Sequence, residues 1–271
     1  MLNHRREIGN AISAQLRAHR DSLAAQWRNA VPIRYFTLDA LLPGEEVKVL
    51  SRQFPEPATL MLRSSLRERK RVGVDVKRYA PVIGEYLLAF QEPPVVQAVG
   101  EITGLRGLEA DPTLYASGIS VMSKGNFLEP HLDNSHDGDG LRYRALNLLF
   151  YVSPGWKEEN GGNLELWDPA VRRNQTLWSR FNRLVVMETH QTNWHSVSRV
   201  TADQPRLCLS NYYFSRTSPI GREYRQVTTF TGRPEQPGKR ILLTLDGLLR
   251  NGVKRMLPLL QRKTKHRLPQ P

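Results

Sequence analysis

Apolar side chains near the N-terminus recur with the spacing of an amphipathic helix. Over residues 6–30 they stand three to four positions apart or at small multiples of that distance: Ile8, Ile12, Leu16, Leu23 and Trp27. The pattern predicts a helix over 6–30, which ends before Pro32. Further helices are predicted over EEVKVLSRQF, APVIGEYLLAF and PPVVQAVGEITG, of which the last two have proline in the first turn. Over residues 68–79 the sequence predicts a loop and a strand whose basic side chains face solvent.

The pattern changes at about residue 113. Short runs rich in β-branched and aromatic residues follow, separated by turn residues: LYASGISVM, RALNLLFYV, GNLELWD, RLVVME, HSVSRV and PRLCLSNYYF. Several short strands at this spacing are typical of a β-sandwich or β-barrel, rather than of a parallel α/β sheet. We therefore expect a mainly β region preceded by helices.

Composition adds limits on size and compartment. The chain of 271 residues is long enough for one large domain or two small ones. Its single cysteine, Cys208, excludes an intramolecular disulfide and fits a reducing compartment. No apolar run approaches the roughly 18 residues of a membrane-spanning helix, and no apolar segment follows the charged N-terminus as in a secretory signal. These features predict a cytoplasmic protein.

One motif carries candidate metal chemistry. In FLEPHLDNSHDGDG, residues 127–140, His131 and Asp133 stand two positions apart before a glycine-rich turn. On a strand, residues two apart share a face, so a nitrogen and a carboxylate oxygen can reach one ion. His195, at the start of a later β-rich run, is the candidate third ligand. Two histidines and one carboxylate leave three positions of the ion open, as in non-haem Fe(II) oxygenases; an ordinary loop and a zinc site are the alternatives.

A co-substrate with a free carboxylate would need a buried cation, and Arg206 is the candidate. A guanidinium binds a carboxylate bidentately, and hydroxyl groups nearby can bind the same group. Strand alternation groups Arg206 with Cys208, Ser210 and Tyr212. On the strand ALNLLFYV it groups Asn147, Leu149 and Tyr151. Catalytic zinc has no use for Arg206, which favours iron.

Together these residues carry a family resemblance. The run from about 113 to 216 resembles the catalytic domain of Fe(II)/2-oxoglutarate-dependent dioxygenases, in particular the prolyl-4-hydroxylase-like branch. PHLDNSHDGDGLRYRALNLLFYVSPGWKEENGGNLELWD is similar to the His-x-Asp strand, the tyrosine strand and the Gly-Gly hairpin of that branch. FNRLVVMETHQTNWHSVSRV resembles the segment that holds its distal histidine, and QPRLCLSNYYFS its arginine strand. PPVVQAVGEITGL resembles the helix that packs against the barrel.

The resemblance implies a mainly β fold with flanking helices (α+β), namely a double-stranded β-helix of the jelly-roll or cupin-like kind. It divides the chain into an N-terminal helical segment (1–34), a dioxygenase domain (35–232) with its barrel core at about 113–216, and a basic tail (233–271).

The resemblance also implies roles for particular residues. His131, Asp133 and His195 would bind Fe(II), and Arg206 would hold the distal carboxylate of 2-oxoglutarate. Tyr151 would assist Arg206, and the remaining co-substrate contacts would come from Ser210, Asn147 and Leu149. O2 is the third reactant and ascorbate a candidate reductant. The implied reaction decarboxylates 2-oxoglutarate to succinate and CO2 and hydroxylates an unactivated C–H bond, with a prolyl residue of a peptide or protein as the family-level substrate. Met122 or Ser123 stands where the branch often has a tyrosine.

The C-terminal tail offers a second hypothesis. Residues 239–271 hold nine Lys or Arg and one acid, a net charge of +8, whereas the preceding 238 residues carry a net charge of only +5. Seven apolar residues can share a helical face opposite the basic residues: Ile241, Leu245, Leu248, Leu249, Met256, Leu259 and Leu260. Such a helix can either lie on an anionic membrane surface or cover the barrel.

The basic tail also suggests alternative functions for the protein. Membrane-peripheral attachment would favour lipid-linked or cell-envelope glycan substrates, or a small molecule at the membrane surface. A non-enzymatic basic binding protein is a further alternative, although the sequence has no recognisable nucleic-acid motif.

Overall fold

A computed structural model of the chain describes residues 2–245. Its α-helices are α1 (Leu2–Ala18), α2 (Arg20–Asn29), α3 (Gly44–Arg52), α4 (Pro81–Ala89) and α5 (Pro93–Thr103), and residues 237–245 are also helical. The helix predicted over 6–30 is thus two helices that meet at His19. The sequence around this break, RAHRDS, is mostly polar, so it has no large apolar side chain that would pack into the core. The Ser22 hydroxyl donates a hydrogen bond to the His19 carbonyl.

Antiparallel strands make up the rest of the fold. They are β1 (Tyr35–Asp39), β2 (Met61–Ser64), β3 (Glu68–Gly73), β4 (Leu108–Glu109), β5 (Gly118–Met122), β6 (Phe127–Leu132), β7 (Tyr143–Tyr151), β8 (Leu164–Trp167), β9 (Asn174–Leu177), β10 (Arg183–Glu188), β11 (His195–Val197), β12 (Arg206–Ser215) and β13 (Thr229–Phe230). They pair in the order β1-β10-β7-β12-β5-β3-β6-β11-β8-β9, while β2 pairs with β3, β4 with β12 and β13 with β6. This curled sheet with flanking helices is the double-stranded β-helix that the sequence predicts.

Alternation along the central strands separates an apolar face from a polar one. On β12, Leu209 and Tyr213 are buried against the helices, together with Leu146 and Phe150 of β7. Ser210 and Tyr212, which alternate with them on β12, point into the barrel and line a cavity of about 560 Å³. The same strands therefore anchor the helices on one side and shape the cavity on the other.

The helices pack on the outer face of the sheet and share one core with it. Apolar residues of α1, α2, α4 and α5 belong to the same buried cluster as those of β7, β10 and β12. Polar contacts fix α4 to β12: the Tyr213 hydroxyl donates to the Phe90 carbonyl, and Gln91 Nε2 donates to Asn211 Oδ1 at 2.7 Å. Residues 1–34 were predicted as a segment of their own, and the described part of that segment packs into this common core.

The beginning of the predicted basic tail packs on the barrel. Lys239 Nζ lies 2.5 Å from the buried carboxylate of Glu129, and the Arg240 guanidinium donates to the carbonyls of Ala170 and Val171. Within residues 237–245, the two described members of the predicted apolar face are exposed and do not cover the barrel. Leu243 is 3% exposed, whereas Ile241 and Leu245 are 62% and 53% exposed.

The rest of the tail and the membrane hypothesis cannot be placed on this fold. Residues 246–271, which include the remainder of the predicted apolar face, lie outside the described residues. Membrane attachment through them stays a prediction. In the described part of the chain, no helix has the length and apolar character needed to cross a bilayer.

Candidate metal and co-substrate site

Three side chains converge at one end of the cavity. His131 lies near the end of β6, Asp133 follows that strand, and His195 opens the neighbouring β11, where it pairs directly with His131. One ligand atom from each residue lies within 4.8 Å of the other two. The carboxylate of Asp133 is 3.8 Å from Nε2 of each histidine. The structure thus brings together the three residues that the sequence singled out as ligands, in a cluster open toward the cavity.

Backbone carbonyls orient both imidazole rings. His131 Nδ1 lies 3.0 Å from the Glu129 carbonyl, and His195 Nδ1 lies 3.0 Å from the Asn193 carbonyl. A carbonyl accepts only, so each Nδ1 carries the proton and each Nε2 presents a lone pair to the cluster. Burial lowers the pKa of His131 to about 3, and His195 adds to the effect while Asp133 opposes it. His131 is therefore neutral at physiological pH, as a metal ligand must be.

Arg144 holds the carboxylate in its charged form. Burial opposes ionisation of Asp133, but the Arg144 guanidinium and the two histidines together bring its pKa below the ordinary value. Arg144 Nη1 lies 3.2 Å from Asp133 Oδ2, and its guanidinium sits 4.2 Å from the centre of the Tyr212 ring. Arg144 was not predicted from the sequence as a site residue.

A second buried arginine occupies the opposite end of the cavity. Arg206, at the start of β12, is 3% exposed. Its guanidinium donates to the Gly162 carbonyl at 3.1 Å and lies 5.3 Å from the centre of the Tyr151 ring. Within the described residues, Arg206 has no acidic partner, and its Nε and the Tyr151 hydroxyl are buried without hydrogen-bond partners. A buried cation in this state fits an anionic ligand, because an unpaired buried charge is costly.

The other predicted co-substrate residues lie between the two ends. Asn147, Leu149 and Ser210 line the cavity. Asn147 Nδ2 donates to the Tyr212 hydroxyl at 3.3 Å, and its Oδ1 is a further buried atom without a partner. The Tyr151 ring lies beneath the Arg206 guanidinium, and burial raises the pKa of its hydroxyl, which stays protonated.

The segment after β12 completes the metal end of the cavity. Phe230 of β13 pairs with His131, and its ring stacks on the imidazole at a centroid distance of 5.3 Å. Gln226 Nε2 donates to the Asp133 carbonyl at 2.8 Å. Strand β13 has only two residues and no periodic pattern, so it could not be predicted from the sequence.

A hairpin of β2 and β3 forms one side of the cavity mouth. Strand β3 pairs with both β5 and β6, and Arg63, Glu68 and Lys70 line the cavity. The strand predicted within residues 68–79 is therefore present, but its basic face is not wholly solvated as predicted. Charge alone could not tell which face lies toward the cavity.

Comparison with known proteins agrees with this geometry. The family model described as the 2OG-Fe(II) oxygenase superfamily matches residues 117–214. Prolyl 3-hydroxylase OGFOD1 of Mus musculus is 27% identical over 119 residues, which are 42% of this chain and 21% of the mouse protein. The match thus spans about a fifth of that relative's length.

Two solved structures show the same fold. A prolyl-4-hydroxylase from Pseudomonas putida has a TM-score of 0.52 at 20% identity, over 71% of this chain and 98% of that one. HygX from Streptomyces hygroscopicus, solved with nickel, 2-oxoglutarate and hygromycin B, has a TM-score of 0.50 at 12% identity, over 75% of this chain and 95% of that one. At these identities the likeness concerns the fold alone.

Proposed function

We propose that this chain is a 2-oxoglutarate-dependent dioxygenase that hydroxylates a prolyl residue of a peptide or protein, since its residues 117–214 match the model of the 2OG-Fe(II) oxygenase superfamily. As a 2-oxoglutarate-dependent dioxygenase it uses Fe(II), 2-oxoglutarate and O2. One observation supports the assignment of its site residues. A cluster of two histidines and an aspartate shares a single cavity with a buried arginine that has no acidic partner in the described chain.

His131, Asp133 and His195 would hold the iron. Their donor set is that of the facial triad, which leaves positions open for co-substrate and O2. Each of their side chains is already oriented, the histidines by carbonyls and Asp133 by Arg144. This arrangement limits the reorganisation needed when the ion binds.

Arg206 would hold the distal carboxylate of 2-oxoglutarate. Its unpartnered Nε and the unpartnered Tyr151 hydroxyl are the donors that such a carboxylate would satisfy. Ser210, Asn147 and Leu149 would line the co-substrate between Arg206 and the iron.

When bound, iron and 2-oxoglutarate supply the oxidative decarboxylation to succinate and CO2 that drives C–H hydroxylation. The protein itself positions the reactants and keeps water away from them. Arg206 and the triad fix the two ends of the co-substrate, and the apolar side chains of Met122, Leu164 and Val197 line the cavity and limit water near the reacting atoms.

The prolyl substrate is supported by the sequence match to a prolyl 3-hydroxylase over 119 residues. A small-molecule substrate is the second candidate, because the fold is about as similar to HygX, with its bound hygromycin B, as to the bacterial prolyl-4-hydroxylase.

The test has two stages. Equilibrium dialysis and calorimetry without O2 should show one Fe(II) bound per chain, and 2-oxoglutarate binding that depends on the metal. Succinate release in air should then rise when proline-containing peptides are added, with hydroxyproline detected by mass spectrometry. A protein that binds neither Fe(II) nor 2-oxoglutarate would overturn the site assignment. Succinate release that no peptide stimulates, but that a panel of small molecules does, would favour the second candidate.

A further inference from the structure

The charges that line the cavity do not balance. Five are basic and two are acidic: Arg63, Arg67, Lys70, Arg144 and Arg206 against Glu68 and Asp133. The formal net charge of these side chains, with the histidines left out, is thus +3. Iron brings two positive charges and 2-oxoglutarate two negative ones, so the loaded site would keep this surplus. A cavity with low-dielectric walls concentrates such a field on whatever enters next.

The surplus is concentrated on the hairpin at the mouth. In the β2–β3 pairing Arg63 lies opposite Lys70, so both side chains share the face that lines the cavity. Lys70 Nζ is 3.1 Å from Glu68, whereas Arg63 is exposed and has no acidic partner in the described part of the chain. The Arg67 guanidinium lies 5.8 Å from the centre of the Phe230 ring, beside the metal end. Three basic groups therefore line the route to the reacting atoms.

The hairpin also offers a place for an extended chain. All four residues of β2 are exposed, and within the described residues this strand pairs with β3 alone. A free strand edge can take up a further strand through its backbone groups.

We propose that the substrate is an acidic peptide segment, whose carboxylates flank the prolyl residue and contact the cavity face of the β2–β3 hairpin. This inference rests on the proposed function and deepens it, because it specifies which prolyl peptides the site accepts. Arg63 and Lys70 select the charge of the peptide, while Arg206 and the triad are occupied by co-substrate and metal.

The experiment compares three labelled peptides that share a central proline and differ only in flanking residues, which are Glu, Gln or Lys. Fluorescence anisotropy measures their binding to the chain loaded with Mn(II) and 2-oxoglutarate, so that no turnover occurs. The Glu peptide should bind about tenfold more tightly than the Gln peptide, and the Lys peptide more weakly still. The preference should shrink as salt rises from about 0.1 M to about 1 M, because the Debye length falls from about 10 Å to about 3 Å.

Two charge reversals form a matched pair. Arg63→Glu changes the cavity face of the hairpin, whereas Arg69→Glu changes the opposite face, at an exposed residue directly across from Ser64. Both variants alter the net charge equally. Arg63→Glu should remove the preference for the Glu peptide, and Arg69→Glu should keep it.

Equal affinities for the three peptides, equal effects of the two reversals, or no peptide binding at all would each overturn the inference. Because 2-oxoglutarate binding is measured separately, failure of the peptides with normal co-substrate binding contradicts this inference alone. Loss of co-substrate binding in the unaltered chain contradicts the proposed function itself.

Discussion

The two faces of the central strands differ in what they contact and in how their polar groups are paired. On the helix-facing side of β12, Leu209 and Tyr213 lie in an apolar core, and the Tyr213 hydroxyl has a carbonyl partner. On the cavity side, Arg206 and the nearby Tyr151 keep buried polar atoms that no described residue satisfies. Interiors built for stability pair nearly all their buried polar groups. One face of these strands therefore stabilises the fold, whereas the other keeps polar groups available to bind ligands.

The largest expected effect lies at the metal end. His195→Ala should abolish Fe(II) binding, because two remaining ligands cannot form the facial triad, while the melting temperature of the metal-free protein changes little. His190→Ala is the control, since His190 lies on a loop and does not line the cavity. Dialysis with metal analysis and calorimetry measure the two quantities. Full iron occupancy in His195→Ala would show that the ligand assignment is wrong.

At the other end of the cavity, Arg206→Ala should weaken 2-oxoglutarate binding by two to three orders of magnitude while iron binding persists. Leaving a buried charge without its partner costs about 3–5 kcal/mol. Arg199→Ala supplies the control, because Arg199 is exposed and donates to the Gly125 carbonyl outside the cavity. If Arg199→Ala weakens binding and Arg206→Ala does not, the role belongs to Arg199.

A substitution on the helix-facing side of β12 should change the stability of the protein rather than its ligand binding. Leu209→Ala should lower the free energy of unfolding by about 2–5 kcal/mol, as expected for a cavity in a packed core, without changing the 2-oxoglutarate affinity of the folded protein. Leu141→Ala, at a 70% exposed leucine, should change stability little. A Leu209→Ala protein that keeps its stability but loses co-substrate affinity would break the separation between the two faces.

The smallest effect concerns an ion pair outside both faces. Hydrogen bonds from Arg183 outweigh partial burial and lower the pKa of Asp39, with Arg180 contributing as well. The stabilisation is therefore present above the ordinary pKa of about 4 and is lost as pH falls through the lower folded value. Asp39 is 38% exposed, so Asp39→Asn should cost at most about 1 kcal/mol at pH 7. Urea unfolding from pH 7 to pH 3 should show the difference between the two proteins shrinking; a constant difference would contradict this origin.

The sequence predicted those parts of the fold where strand alternation is regular. RLVVME and PRLCLSNYYF became β10 and β12, and their alternation assigned Arg206 and Ser210 to the cavity side. Arg144 was missed because the β7–β12 register shifts between Tyr213 and Phe214. The bulge puts Ala145 and Leu146 both in the helix-side core and turns Arg144 inward, a change of phase that alternation cannot anticipate.

Features that depend on distant contacts were also beyond prediction. Strand β1 is short, and its place is set by pairing with β10, far along the chain, and by contacts with α2. Lys239 and Arg240 were assigned to the basic tail. The charge pattern alone does not reveal that Lys239 pairs with Glu129 and that Arg240 donates to two backbone carbonyls. Local pattern gives the elements, whereas the partners of buried charges are set by tertiary structure.

The contacts of Phe230 and Lys239 with β6 have a consequence for biosynthesis. Glu129 and His131 leave the ribosome about a hundred residues before the side chains that cover and neutralise them. During that interval the Glu129 carboxylate cannot be buried without an unpaired charge, which disfavours early closure of this side of the barrel. Contacts so distant in sequence form slowly. The metal end of the cavity should therefore be the last part of the protein to mature, and a nascent chain that stops before residue 230 should fail to retain iron.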